Sequence, residues 1–306
     1  MRLVECVPNF SEGRDKRIIE QITRSLRVPG ATLLDYSWDE DHNRSVMTVV
    51  GKAEAVAEAA FQGVKTAVSL IDMEGHRGDH PRMGAADVVP FVPVRGVTME
   101  DCISLAKSVG QRIAQELEVP VYLYGEAAST PERRSLGNVR RGQYEGLKEE
   151  IHRPERRPDY GPTRMHPSAG ATAVGARMPL VAFNINLASA DLDLAKRISR
   201  HIRTSSGGLP HVMATAVALR QRGEVQVSMN LTDPSVTSLH RAYQAVREEA
   251  EAAGVSVSGS EIIGLVPLEV LLESLRHFLQ AGNLGAAQVM EARLLEELME
   301  VIPGEG

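Results

Sequence analysis

Cysteine occurs only at Cys6 and Cys102, without a Cys-x-x-Cys spacing, which excludes a disulfide framework and fits a reducing cytosol. Both are expected as small buried hydrophobes. A basic surplus is also missing. Lys and Arg number 34 against 40 Asp and Glu, a net charge of −6, and this argues against a general nucleic-acid-binding surface. Lysine is confined to Lys16, Lys52, Lys65, Lys107, Lys148 and Lys196, so arginine carries most of the positive charge and local basic pockets remain open. The first residues hold no apolar core of signal-peptide length, and no later run stays apolar for about 18 residues. A soluble, cytoplasmic chain with no membrane partner is the expectation. Neither a Gly-x-x-x-x-Gly-Lys-Ser/Thr loop nor a Gly-x-Gly-x-x-Gly after a strand is present, so nucleoside triphosphate and dinucleotide cofactors are not indicated.

What is present is enough for one large or two medium domains: 306 residues, 43% hydrophobic and 24% charged. The patterning predicts strands over 3–7, 31–35, 44–50, 86–94 and 119–124, and helices over 15–25, 53–71 and 98–117. The second half repeats this grammar. Strands are predicted over 180–187, 213–220, 224–230 and 255–258, and helices over 190–203, 236–253 and 268–280, with the two middle strands joined as a hairpin across Gln221, Arg222 and Gly223. That is β-α-β-β-α-β, the ferredoxin-like order. The fold class is therefore α+β: two ferredoxin-like α/β subdomains, 1–178 and 179–306, joined near 170–178, with a ligand cleft or tunnel expected between them. Residues 131–157, rich in arginine, glycine and proline, read as a solvated surface connector, partly helical around 144–152, with the alternative that a few arginines line an anion-attracting channel. A last helix over 283–301, with Leu284, Ala287, Met290, Leu294, Leu298 and Val301 at helical spacing, fits either docking or a terminal cap.

The densest chemistry lies in His76-Arg77-Gly78-Asp79-His80-Pro81-Arg82-Met83-Gly84. Gly78 and Gly84 allow backbone conformations that other residues resist, and Pro81 keeps His80 out of the α region, so a loop beside a strand is expected. His80 fits a general acid/base, with Asp79 and Arg82 expected to fix its tautomer and tune it in opposite directions. His76 reads better as a supporting residue. The spacing His76-x-x-Asp79-His80 loosely resembles a helical zinc motif, but Gly78 and Pro81 break the helix that motif needs, so no metal is expected. Arg44, beside Asn43 and an acidic turn with Asp39 and Asp41, suits either a bidentate hold on a substrate carboxylate or a local salt bridge. In the second half Asn184, Asn186 and Asn230 near strand ends suit a heterocycle edge or a turn.

Five segments together resemble the glutamate formimidoyltransferase (formiminotransferase) family: Leu3-Val4-Glu5-Cys6-Val7-Pro8-Asn9-Phe10-Ser11-Glu12-Gly13; Gly78-Asp79-His80-Pro81-Arg82-Met83-Gly84-Ala85; Pro93-Val94-Arg95-Gly96-Val97-Thr98-Met99; Val121-Tyr122-Leu123-Tyr124-Gly125-Glu126-Ala127-Ala128; and Val181-Ala182-Phe183-Asn184-Ile185-Asn186-Leu187. The resemblance runs over essentially the whole chain. It implies two α/β subdomains flanking a folate tunnel, and transfer of a formimino group from N-formimino-L-glutamate to N5 of tetrahydrofolate in histidine degradation. It makes His80 the catalytic histidine; from the residues themselves Arg44 and Asp79 are expected to act beside it and Asn43, Arg82 and Asn184 to bind substrate, with Arg82, Arg44 and Arg164 as candidates for the folate carboxylates. Folate contacts are implied for Gly161, Pro162, Thr163, Arg164, Met165, His166, Pro167, Ser168, Ala169 and Gly170. Tetrahydrofolate enters as a co-substrate with no tightly bound cofactor. A homodimer is implied, as is a functional link to a separate cyclodeaminase, since mammalian relatives carry that activity in a fused domain. The alternatives are an N-formylglutamate-dependent formyltransferase and a non-catalytic folate-binding protein.

Overall fold

A computed structural model describes residues 2–219 and 222–301, with side chains through 297. The chain divides into two compact units, Met1–Met178 and Pro179–Gly306.

The first unit starts with β1 (Leu3–Cys6) and β2 (Asn9–Phe10), which share one strand position on either side of Pro8: both pair antiparallel with β4 (Arg44–Gly51) and with β5 (Ala86–Arg95). Between them in sequence come α1 (Lys16–Ser25), the edge strand β3 (Ala31–Asp39) and α2 (Ala53–Leu70). The order β3-β4-β1/β2-β5 is that of a ferredoxin-like sheet. Local sequence explains the helices. Asp15 caps α1 by accepting the Arg17 N–H at 2.9 Å, while Ile19 and Ile22 turn into the core. Thr98 and Asp101 form a capping box at the start of α3 (Met99–Leu117).

Two findings in this unit depart from the sequence expectations. The stretch expected to join the two halves contains β7 (Thr172–Ala176), which lies between β5 and β6 (Val121–Gly125) and runs parallel to both. Its small residues are buried on both faces and show no alternation, so no period marked it as a strand. The arginine-rich stretch 131–157 is helical over 143–150, close to the helix expected around 144–152, but it is no solvated connector. It forms α4 (Leu136–Val139) and α5 (Gln143–Glu150) between short 3-10 turns, and buries Val139, Tyr144, Leu147 and Ile151. Val139, Leu147 and Ile151 pack with Val88, Tyr122, Tyr124 and Ala173 on one face of the sheet, while Val89, Phe91, Val121 and Val174 join the helix-side core. Sandwiching accounts for the unbroken burial of β5 from Ala86 to Val92. Cys6 and Cys102 are buried free thiols, as expected.

The second unit is β8 (Val181–Leu187), α6 (Leu192–Ile202), β9 (Val212–Leu219), β10 (Glu224–Leu231), α7 (Leu239–Ala252) and β11 (Val257–Ile263), followed by α8 (Leu268–Leu279) and α9 (Met290–Val301). Its antiparallel sheet runs β11-β8-β10-β9, again ferredoxin-like, which bears out the expected fold class. Val181, Phe183, Ile185 and Leu187 alternate into a core with Val225, Val227, Met229 and Leu231. In the expected hairpin turn, Arg220 and Gln221 lie outside the described residues. The helix expected over 283–301 is shorter, with a 3-10 turn at Ala286–Gln288 ahead of α9, whose Met290 and Leu294 are exposed. The side chains of Leu298 and Val301 lie outside the described residues. No helix among the described residues is long and apolar enough to cross a membrane.

Since 131–157 is a packed layer, Leu147→Ala is expected to cost about 2–5 kcal/mol of unfolding free energy and to open this arginine-rich stretch to trypsin. Urea unfolding and limited proteolysis measure both, and a stable variant that trypsin cleaves no faster than wild type would return the stretch to a surface connector.

Candidate active site

One carboxylate organises the site. Asp87, fully buried in the apolar first part of β5, accepts the Met83 N–H on Oδ1 at 2.9 Å and the Arg44 guanidinium on Oδ2 at 2.6 Å; the same Oδ2 also takes Arg140, which follows α4. Arg44 reaches from β4, and its Nε and a terminal nitrogen both donate to Asn9 Oδ1, at 3.2 and 2.9 Å. Asn9 is held with that oxygen outward because its amide nitrogen donates to the Val7 carbonyl at 2.7 Å. Burial pushes the Asp87 carboxyl up, but the two guanidiniums outweigh it and hold the group below its ordinary value. Burial, together with the like charge of Arg140, lowers Arg44.

His80 is half-buried on the loop between α2 and β5, its ring edge-on to His42 with centroids 5.8 Å apart. Its Nδ1 lies 2.7 Å from the Pro81 carbonyl. A carbonyl only accepts, so Nδ1 carries the proton and donates, which leaves the Nε2 lone pair free. Burial, then the positive charges of Arg44 and Arg140, lower this histidine to about 4. The ring is thus neutral at physiological pH with an open basic nitrogen.

These facts correct the expected tuning by sequence neighbours. The tautomer is set by Pro81 rather than Asp79, and the charges that tune the ring come from β4 and the end of α4 rather than from Arg82. Asp79 is exposed and tied down through its backbone, its N–H donating to the Asp41 carbonyl at 3.2 Å. Arg82 is buried and engaged on every nitrogen: bidentate to Glu145 at 2.7 and 2.9 Å, and also to Gln143 and His76. Its hydrogen bonds hold the Glu145 carboxyl down at about 2. Asn43, buried with φ +49°, accepts the Gly13 N–H at 2.9 Å and donates to the Arg77 carbonyl at 2.9 Å. Both were expected to bind substrate; each makes its hydrogen bonds here to protein partners, including the loop carbonyls of Arg77 and His76.

His76 completes this second network, as the supporting role expected of it. Its Nε2 donates to the Asn43 carbonyl at 3.1 Å, and its Nδ1 accepts from Arg82 at 3.3 Å. The chain Asn43–His76–Arg82–Glu145 therefore straps the histidine loop to α5. Gly78 and Gly84 serve close approach rather than unusual backbone angles: a Cβ would sit 2.3 Å from the His42 carbonyl at Gly78 and 2.1 Å from the Ala171 carbonyl at Gly84. Among the described residues no three His, Cys, Asp or Glu side chains group closely enough to hold a metal ion.

The stretch 161–170 is anchored at both ends. Gly161, with φ +86°, lies against the Val119 carbonyl. At the other end His166 and Gly170 exchange backbone hydrogen bonds, His166 Nδ1 accepts the Ala169 N–H at 3.0 Å, and Ala169 accepts the Ala85 N–H at 2.8 Å, just after the histidine loop. Thr163, Arg164 and Pro167 are exposed between these anchors, and Pro162, Met165 and Ser168 are half-buried. In the second unit, Asn184 donates to Glu261 at 3.1 Å on the sheet face opposite the core. Sequence reasoning passed over Asp87, Arg140 and Asn9. Asp87 did carry a signal, because a carboxylate inside a run as apolar as 88–92 has to find cations.

Comparison with known proteins gives a match to the N-terminal subdomain of the formiminotransferase domain over residues 3–177 and to the formiminotransferase domain over 182–301. The chain belongs to the formiminotransferase family. A glutamate formimidoyltransferase of Streptococcus pyogenes serotype M1 is 46% identical over 296 residues, which cover 96% of this chain and 99% of that protein. One from Thermoplasma acidophilum is 44% identical over 297 residues, 96% and 98% of the two chains. The formimidoyltransferase-cyclodeaminase of Mus musculus is 48% identical over 280 residues, which cover 89% of this chain but 52% of the mouse protein. The resemblance carried by the five segments is therefore confirmed, and the strand residue Asn9 and the loop residue His80 both lie in segments that carried it.

Two measurements check the geometry of this formiminotransferase. Nitrogen-15 NMR is expected to find His80 as the Nδ1-protonated tautomer, titrating near 4 rather than near the ordinary 6.5. Asp87→Asn, which leaves two buried guanidiniums without their carboxylate, is expected to lose about 3–5 kcal/mol of stability; a loss below about 1 kcal/mol would mean the arginines find other partners or water.

Proposed function

We propose that this chain transfers the formimino group of N-formimino-L-glutamate to N5 of tetrahydrofolate, with His80 moving the proton. The observation that carries this reading is the neutral imidazole of His80, with Nδ1 tied to Pro81 and Nε2 open beside two guanidiniums. Membership of the formiminotransferase family supports the same substrates.

The chemistry suits one such base. N5 attacks the formimino carbon and a carbon–nitrogen bond forms. The attacking nitrogen then carries one proton too many, which His80 Nε2 accepts. The resulting imidazolium returns that proton to the glutamate nitrogen as its bond to the carbon breaks. L-glutamate leaves, and 5-formiminotetrahydrofolate remains. No net proton is gained or lost, so a single group can act first as base and then as acid. Holding both substrates together supplies a further part of the rate.

The anchored stretch 161–170 is the reading's folate-contacting loop, with exposed Arg164 suited to a folate carboxylate. Asn43 and Arg82 act by holding the histidine loop, and Asn184 is read as a substrate-binding residue. Tetrahydrofolate serves as co-substrate. A homodimer, a place in histidine degradation and hand-over of the product to a separate cyclodeaminase complete the reading.

The test is a transfer assay with tetrahydrofolate and either N-formimino- or N-formyl-L-glutamate, for wild type and His80→Ala. Formimino-dependent product is expected, with kcat falling about 10²- to 10⁴-fold in the variant while the KM for each substrate changes little. An unchanged kcat would remove His80 from the proton transfer, and product from the formyl donor alone would replace the formimino reading.

A further inference from the structure

The transfer reading leaves one feature of the site unused. Arg44, Asp87 and Arg140 bring two guanidiniums and one carboxylate together, with side-chain exposures of 9%, 0% and 13%. That is one positive charge in excess in a place water hardly reaches. The groups facing it do not cancel it. Tyr124 on β6 is a buried phenol pushed up by its burial, and Arg177, just past β7, adds a positive charge beside it. His42 and His80 are imidazoles at the rim, and Asn9 is a neutral amide.

Asp87 meets both guanidiniums through one and the same oxygen. Its Oδ1 serves Met83, and its Oδ2 serves both arginines. Arg140 accordingly keeps a buried Nε with no hydrogen-bond partner. An orphaned guanidinium donor beside an uncompensated positive charge has the chemistry of an anion receptor, because a guanidinium edge matches the two oxygens of a carboxylate. We propose that the Arg44–Asp87–Arg140 cluster is the subsite for a carboxylate of the amino-acid donor, with Arg140 as its principal ligand.

The donor has two carboxylates, and the α-carboxylate is the better match. It sits on the carbon bonded to the nitrogen that leaves, so a histidine serving that nitrogen stands next to it. The subsite also gives the donor control over the base. In the free protein burial, and after it the charges of Arg44 and Arg140, hold His80 at about 4, too low for an efficient proton carrier at neutral pH. A carboxylate on the cluster cancels the excess charge, and the proton affinity of His80 rises toward that of an ordinary histidine. The donor thus arms the base as it binds.

This inference rests on the transfer reading for the identity of the donor, and its test is independent of turnover. The His80 ring of the full chain is titrated by NMR without folate, alone and with saturating N-formyl-L-glutamate or its α-carboxamide. The acid is expected to raise the titration midpoint and the α-carboxamide to leave it in place. Arg140→Gln is expected to weaken binding of N-formyl-L-glutamate and raise the donor KM by about ten- to a hundredfold, with the folate KM unmoved and Arg140→Lys recovering part of the loss. A midpoint indifferent to the saturating acid, or a donor affinity indifferent to Arg140→Gln, would overturn the subsite even if transfer occurs. A shift with the acid in a protein that transfers nothing would uphold the subsite and overturn the transfer reading instead.

Discussion

The buried carboxylate of Asp87 is the point on which this site depends. A charge with no exposure is tolerable only when partners surround it, and here they arrive from distant parts of the chain: Arg44 from β4, Arg140 from the stretch after α4, and the Met83 N–H from the end of the histidine loop. The ion cluster therefore joins the ferredoxin-like sheet, the outer layer and the histidine loop in one contact. Because two cations share one anion, the same cluster leaves a positive field that acts on His80.

A second network holds the loop from its other side. Asn43, His76, Arg82 and Glu145 form a chain of hydrogen bonds between the turn before β4 and α5, and consume groups that would otherwise be free for ligand. The division of labour is physical. Arg82 has spent every guanidinium nitrogen within the protein, whereas Arg140 keeps an orphaned donor and His80 an open lone pair. Proximity in sequence was a poor guide to this division, since Asp79 and Arg82 flank His80 yet neither sets its tautomer.

Much of the fold was legible because its helices are amphipathic and capped and the second unit's strands alternate. Asp15 and Thr98 announce helix starts, and Val181, Phe183, Ile185 and Leu187 mark one buried face. What stayed hidden lacked a period. Strand β7 is a run of small residues buried on both faces, and the layer over 131–157 hides four apolar anchors among its charges. His80 stood out through its company on a proline-broken loop. Arg140 did not, since one arginine in a charged stretch looks like any other until its partner is known.

The sequence by itself determined the α+β class, the repeated β-α-β-β-α-β order, the histidine-bearing loop and the family, because periodicity, capping and contiguous motifs are local properties of the chain. Only the tertiary structure decided which groups hold His80 neutral, that Arg82 and Asn43 join one hydrogen-bond chain with His76 and Glu145, and that Arg44 and Arg140 converge on Asp87 across 43 and 53 residues of sequence. Electrostatic interactions depend on distance and burial in space, and neither is encoded in the spacing of residues along the chain.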